Sequence, residues 1–388
     1  MTWDTHPAHF WMRGGTFGQP VEFHQDWGMF DTYGYWHVFG YPEVRQVLTD
    51  AATFTGDTDG VLPKELADRF PDDALSTLDG EEHRKIRKLV SHAFTPAIVA
   101  GLAPRIRTLA NDILDGVGDR FDLVEELAYP LPVTVIAELL GVPSEDRALF
   151  RQWADEAIGG SDDNDTQNDT PNDTQNDTPS IRDYFLGYVE DRRKQPRDDL
   201  LTLLLRAEAD GDRLTDDQIV SFASLVLHAG HITTTSLIGN TVLCLDANPD
   251  AADRVREDRS LVPAVIEESL RFLSPLAATD RVTSADANVG GTTIPAGQII
   301  KVWLGAANRD PRQFADPDVF DLTRDPNPHL AFGRGVHFCL GAPLARLEGA
   351  IVLDVLLERL PELRVEAPPE FLPHPDFVSP RSIRTFRG

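Results

Sequence analysis

Thr215-Asp216-Asp217-Gln218 opens a segment whose only sensible form is a long, buried helix. The Thr hydroxyl can accept from the amide three residues on, while the Gln side chain reaches back to the Thr amide, as in a capping box. The helical stretch runs to about Leu245, and Asp246, Asn248 and Pro249 mark its end. Roughly 30 residues at about 1.5 Å each make a rod of about 45 Å, enough to cross the whole molecule. Ser221 to Leu245 holds no Asp, Glu, Lys or Arg and could reach across a bilayer. Its two His, four Thr, three Ser and one Asn suit a helix buried in a soluble protein better. In the middle stands Ala229-Gly230-His231-Ile232-Thr233-Thr234-Thr235. The small side chains of Ala229 and Gly230 admit close approach, either by a flat ligand or by a neighbouring helix, and the Thr hydroxyls can bond a ligand or compete for backbone carbonyls.

Composition narrows the function classes. The net charge of −27 over 388 residues repels phosphate backbones and argues against nucleic acid as a partner. Two cysteines, Cys244 and Cys339, exclude a disulfide framework. The start MTWDTHPAHF lacks the basic and apolar regions of a signal peptide, so the chain reads as cytoplasmic.

Most of the chain carries ordinary element signals. Residues 33–39 read as a short strand before a helix from Pro42 to Leu48. Segments 97–118 and 122–158 have helical periodicity broken by Pro130, Pro132, Gly141 and Pro143, predicting three or four helices. From Arg281 to Trp303, alternation around Gly290-Gly291 and Pro295-Ala296-Gly297 predicts short strands. Ser161 to Ser180 differs sharply: the unit NDTQNDTP occurs at 164–171 and again at 172–179, with no apolar side chain. Such a segment cannot build a core and is expected to be a mobile surface insert. Its four Asn-Asp-Thr sequons, at Asn164, Asn168, Asn172 and Asn176, are read as by-products of the repeat.

The chemistry is expected at Ala331-Phe332-Gly333-Arg334-Gly335-Val336-His337-Phe338-Cys339-Leu340-Gly341. One cysteine stands there in a glycine-punctuated loop ahead of a helix, where amide N–H groups and the helix dipole are expected to favour a thiolate. Upstream, His83 and Arg87 lie four apart on one face of a predicted helix and could together hold an anion. Glu268 and Arg271 form an i, i+3 pair on another.

The string FGRGVHFCLG resembles the cysteine-ligand loop of the cytochrome P450 family, the haem-thiolate monooxygenases. The resemblance extends over nearly the whole chain, with four motifs in the family's order. It implies a mainly α fold with small β-sheets, a single domain over 1–388, and the long central helix lying over haem. The 161–180 insert then falls in the lid region. By the resemblance Cys339 is the axial iron ligand, while His337, His83, Arg87 and Arg281 face haem propionates. Phe332, Gly333 and Gly341 shape the loop around the sulfur. Ala229, Gly230 and Thr233 become the oxygen-binding groove. Glu268, Arg271 and Arg324 form a structural triad, and Leu276, Ala277, Thr279, Val378 and Ile232 border the substrate pocket. One position departs: Ile232 stands where the family usually has Asp or Glu.

The function implied is insertion of one oxygen atom of O2 into a small molecule by hydroxylation or epoxidation. The substrate would be a secondary metabolite such as a polyketide or macrolide, peptide or terpene, as in antibiotic biosynthesis. The cofactor implied is haem b, with electrons from NAD(P)H through ferredoxin reductase and ferredoxin, in a monomer without membrane attachment. Two other readings are an atypical member performing oxidative coupling, desaturation or rearrangement, favoured by Ile232, and a haem-based sensor.

Overall fold

The structure, a computed structural model, describes residues 3–24, 34–57, 75–91, 94–158, 179–209 and 211–387. Its axis is the helix Asp216–Ala247, 32 residues long. The capping box is present, with Thr215 Oγ1 accepting from the Gln218 amide at 3.2 Å and Gln218 Oε1 accepting from the Thr215 amide at 3.0 Å. Helices Pro130–Leu140, Ile181–Lys194, Val262–Phe272 and Ala342–Arg359 pack around it. Burying many of these polar side chains is possible because their hydroxyls find an acceptor on the preceding turn. Ser224, Thr233, Ser236 and Thr241 donate to the carbonyl four residues back at 2.9, 2.7, 2.7 and 2.7 Å.

Pro130 and Pro132 start a helix rather than break one. A π turn, Val124–Ala128, leads into Pro130–Leu140, whose first turn needs no amide donors. Gly141, at φ 78°, closes that helix in the left-handed conformation. The strand Arg120–Asp122 just before it has no local signal; it is drawn out by Arg384–Phe386 from the far end of the chain.

The main sheet runs in the spatial order Val21–His24, Tyr35–Val38, Ile299–Val302, Thr279–Thr283, Phe54–Thr55. Only Tyr35–Val38 and Ile299–Val302 pair in parallel. The expected strand before the first helix is therefore Tyr35–Val38, and the helix is Tyr41–Thr49. The architecture is mainly α with small sheets, as the motifs implied. Of the 161–180 insert, residues 161–178 lie outside the described residues. Ser180, the last residue of that segment, is the N-cap of the helix Ile181–Lys194, its Oγ accepting from the Asp183 amide at 3.1 Å.

Arg271 and Arg324 both lie against the Glu268 carboxylate. The Arg271 guanidinium, fully buried, donates to both Glu268 oxygens at 2.7 and 2.8 Å and to the carbonyls of Asn308, Pro317 and Val319 at 2.8–3.0 Å. Arg324 Nε reaches Glu268 Oε1 at 3.4 Å, and the Asp321 amide and Asn327 side chain add further bonds at 2.9 and 3.1 Å. One carboxylate thus ties residues 308–327, the approach to the cysteine loop, to the helix Val262–Phe272. Among the described residues no single helix is long and apolar enough to cross a membrane.

Candidate active site

Two glycines set the shape of the cysteine loop. Gly333 and Gly335 have φ of 68° and 74°, and a Cβ on Gly335 would also sit 2.5 Å from the Leu48 carbonyl oxygen. The loop folds back on itself through the Cys339 amide, which donates to the Phe332 carbonyl at 2.9 Å. It then enters the helix Ala342–Arg359, with Pro343 in its first turn. Arg346 lies 4.5 Å above the Phe332 ring and forks onto Glu267 at 2.6 and 2.9 Å, bracing the loop from below.

The sulfur opens onto a cavity of about 360 Å³ although protein surrounds it. Burial pushes the Cys339 thiol above its ordinary range. The Gly341 and Ala342 N–H groups and the charges of Arg87 and Arg346 pull the other way without overcoming it. At this sulfur, desolvation thus works against the amide dipoles and the two guanidinium charges that favour the thiolate.

Cys339, Phe332, Leu340 and Leu344 line one side of the cavity; Ala229, Gly230, Thr233 and Thr234 of the central helix line the other. Arg87, Arg281, Arg334 and His337 gather at one edge. His83 stands behind them, its ring 4.4 Å from that of His337. Both His83 ring nitrogens are buried without a partner, and burial first, then His337 and Arg87, lowers its pKa to about 4. Sulfur, apolar walls, an edge of cations and two orphaned nitrogens fit a flat, metal-centred ligand carrying carboxylates.

The geometry also corrects the residue assignments. Leu276 and Thr279 line the cavity, but Ile232, Ala277 and Val378 do not. Side chains of an extended segment leave on opposite sides, so Ala277 is fully buried behind the wall. Val378 sits in the core, its carbonyl accepting from Asn240 at 2.8 Å. Ile232 is half-buried and is not among the residues that line the cavity, although its neighbour Thr233 is. At Gly230 a Cβ would lie 2.4 Å from Ile136 Cδ1, so this glycine lets the helix Pro130–Leu140 press close as well as lining the cavity. Sequence reading missed Asp79: its Oδ1 lies 2.8 Å from His337 Nε2, and it accepts from Thr55 Oγ1 and the Gly56 amide at 2.5 and 2.6 Å. Burial opposes its charge, yet His337, Thr55 and Gly56 together draw its pKa down to about 2. The signal available was an Asp four residues before His83 at a helix start.

The chain's matches to known proteins agree with this geometry. Residues 173–382 match the family model described as Cytochrome P450. Cyclomarin C epoxidase of Salinispora arenicola is 41% identical over 353 residues, covering 90% of this chain and 89% of the relative. The chain belongs to the cytochrome P450 family. Erythromycin C-12 hydroxylase of Saccharopolyspora erythraea is 41% identical over 346 residues, 89% of this chain and 86% of the relative. The crystal structure of HmtN, a post-tailoring hydroxylase of himastatin biosynthesis, superposes with a TM-score of 0.86 at 48% identity, over 100% of this chain and 98% of that one. As a P450 this protein is a haem-dependent monooxygenase, and haem b, when bound, supplies the iron at which dioxygen is reductively activated.

A second carboxyl went unnoticed in the sequence. Glu348 lines the cavity, is 1% exposed, and its Oε2 has no partner. Burial raises its pKa to about 8. The folded P450 therefore keeps this carboxyl neutral where the unfolded chain ionises it. Its contribution to stability is present below about pH 4 and is lost as pH rises toward 8. Glu348→Gln is expected to flatten that dependence, matching the wild type at pH 4 and exceeding it by on the order of 3 kcal/mol at pH 8 to 9. Melting temperatures of both proteins across pH 4–9 check this; parallel curves would contradict the buried neutral carboxyl.

Proposed function

We propose that this P450 hydroxylates or epoxidises a neutral, largely apolar secondary metabolite, a peptide or macrolide scaffold, in a tailoring step. The cavity carries the proposal: beyond the Arg and His edge, its walls are Phe94, Ile136, Phe222, Leu225, Val226 and Leu276. Such walls reward apolar area and offer no counter-charge to an ionic substrate. The similarity to cyclomarin C epoxidase, erythromycin C-12 hydroxylase and HmtN supports the same class. In this reading Cys339 holds the iron. His83, Arg87, Arg281 and His337 receive the propionates, with Asp79 orienting His337 by its hydrogen bond. Phe332, Gly333 and Gly341 shape the sulfur loop. Electrons come from NAD(P)H through ferredoxin reductase and ferredoxin, and the protein works as a cytoplasmic monomer of one domain. Optical titration of the ferric protein with neutral cyclic peptides and macrolides tests the substrate class. A low- to high-spin shift with these and none with charged analogues of equal size is expected; the reverse order would overturn the assignment.

Ile232 bears on proton delivery and keeps a second reading, oxidative coupling or desaturation, in view. Reductive activation of dioxygen consumes two protons, and Ile can neither donate nor relay them. Thr233 faces the cavity with its proton committed to the Ala229 carbonyl at 2.7 Å, leaving its oxygen as an acceptor. We infer that a polar group on the substrate completes the relay to Thr233. Peroxide formed per NAD(P)H consumed should then rise several-fold with a substrate analogue lacking that group, and Ile232→Glu should restore coupling. Equal coupling with both compounds, unchanged in Ile232→Glu, would remove the substrate from the relay.

A further inference from the structure

Of the two wall residues, Thr279 opens the strand Thr279–Thr283 and pairs with Val302, whereas Leu276 lies ahead of that ladder. Residues 275–278 run antiparallel to 376–378 through a single bridge between Leu276 and Phe377. The Ala277 amide donates to the Asp376 carbonyl at 2.7 Å and the Val378 amide to the Pro275 carbonyl at 3.0 Å. The Ala278 amide also lies 3.4 Å from the Asp376 carbonyl and the Gly305 amide donates to the Ala277 carbonyl at 3.0 Å, so the backbone joins this segment to the 372–379 loop through only these few bonds at one end of the sheet. Behind it, on the strand Ile299–Val302, Lys301 is completely buried. Its Nζ lies 2.9 and 3.0 Å from the Asp376 oxygens and 3.0 and 3.1 Å from those of Asp280, the residue after Thr279. The 372–379 loop is fastened on its other flank too, where His9 Nε2 lies 2.8 Å from the Pro375 carbonyl. Burial alone would strip Lys301 of its proton, but the two carboxylates outweigh it and raise its pKa.

We propose that Lys301 is a specificity-determining positioning residue, whose ammonium pins the wall segment at Asp280 and the loop at Asp376 and so sets where Leu276 and Thr279 stand. The proposal rests on the cavity being the substrate site. Burying one ammonium with two carboxylates costs desolvation that an apolar trio would avoid, so the arrangement contributes geometry rather than stability. An ammonium donates in three directions from one point and can bind both segments at once. It touches no cavity-lining atom directly, so it acts through the wall.

Asp376→Asn keeps the shape and weakens the link; Lys301→Met removes it. The test uses the haem-loaded protein and two iron-binding azoles, small imidazole and bulky clotrimazole, titrated optically. Imidazole needs only the iron, whereas clotrimazole must also fit the walls. In Asp376→Asn the clotrimazole Kd should rise at least tenfold while the imidazole Kd stays within twofold. Hydrogen exchange on the same protein should speed up in peptides spanning 275–280 and 372–379 and not in the central helix. If both azoles weaken together, if neither changes, or if exchange at those peptides matches the wild type, Lys301 is an ordinary structural lysine. Should Lys301→Met fail to fold, Asp376→Asn and its exchange pattern decide. Absence of any azole spectrum in the wild type would instead strike at the haem-site reading, and clotrimazole binding absent beside normal imidazole binding would take the wall out of the ligand's path and overturn the proposal.

Discussion

Replacing Cys339 by His is expected to abolish the red-shifted Soret band of the ferrous carbon monoxide complex, and turnover with it. Cys339 would hold the haem iron, and its thiolate would supply the electron donation from which both the shifted band and oxygen activation derive. Histidine can still ligate the iron, so the haem need not leave; the band should move to the position of an imidazole-ligated haem. Cys244→Ala is the control. Cys244 is fully buried in the central helix, its thiol pushed up to about 12 by burial, and it lines no part of the cavity. Its loss should cost about 1 kcal/mol of stability and leave every spectrum unchanged. A thiolate-type band surviving in Cys339→His would refute the ligand assignment, and a band lost in Cys244→Ala would transfer it.

Arg271→Ala should be the most damaging change away from the haem. It takes the forked partner from the Glu268 carboxylate, 1% exposed, leaving Arg324, the Asp321 amide and Asn327 on it, and removes a donor from three carbonyls. Removing one member of a buried, hydrogen-bonded ion pair costs about 3–5 kcal/mol. In a chain this long that corresponds to a melting temperature lower by roughly 4–6 °C. Because those carbonyls belong to the approach to the cysteine loop, the haem-to-protein ratio should fall as well. Arg271→Lys should not rescue it, since an ammonium cannot fork onto both Glu268 oxygens and also reach three carbonyls. Arg324→Ala, whose contact to Glu268 is 3.4 Å long and whose other bonds go to the Ala315, Asp316 and Val319 carbonyls at 2.9, 3.4 and 3.4 Å, should lose less, about 1–2 kcal/mol. Calorimetry and haem absorbance on the three variants provide the test; equal effects of Arg271→Ala and Arg324→Ala would show that the triad does not hold the loop in this way.

What could be read along the chain was whatever is encoded within a few residues. The capping box at Thr215 and Gln218, the close of the helix before Pro249, the glycine-spaced cysteine loop and the i, i+3 pair of Glu268 and Arg271 are all local, and each has its counterpart in the fold. What was hidden depends on partners brought together by packing. His337 meets Asp79, Lys301 meets Asp376, and Arg120–Asp122 becomes a strand only because Arg384–Phe386 lies beside it. The side on which Ala277, Val378 and Ile232 face is likewise a tertiary outcome, since an extended segment or helix turn has no inside until its neighbours choose one. Most telling are Cys339 and Glu348, whose residue types were plain but whose proton affinities were not. Sequence position supplied the helix-start amides around the sulfur; burial, which only the folded chain creates, pushes both groups toward their protonated forms.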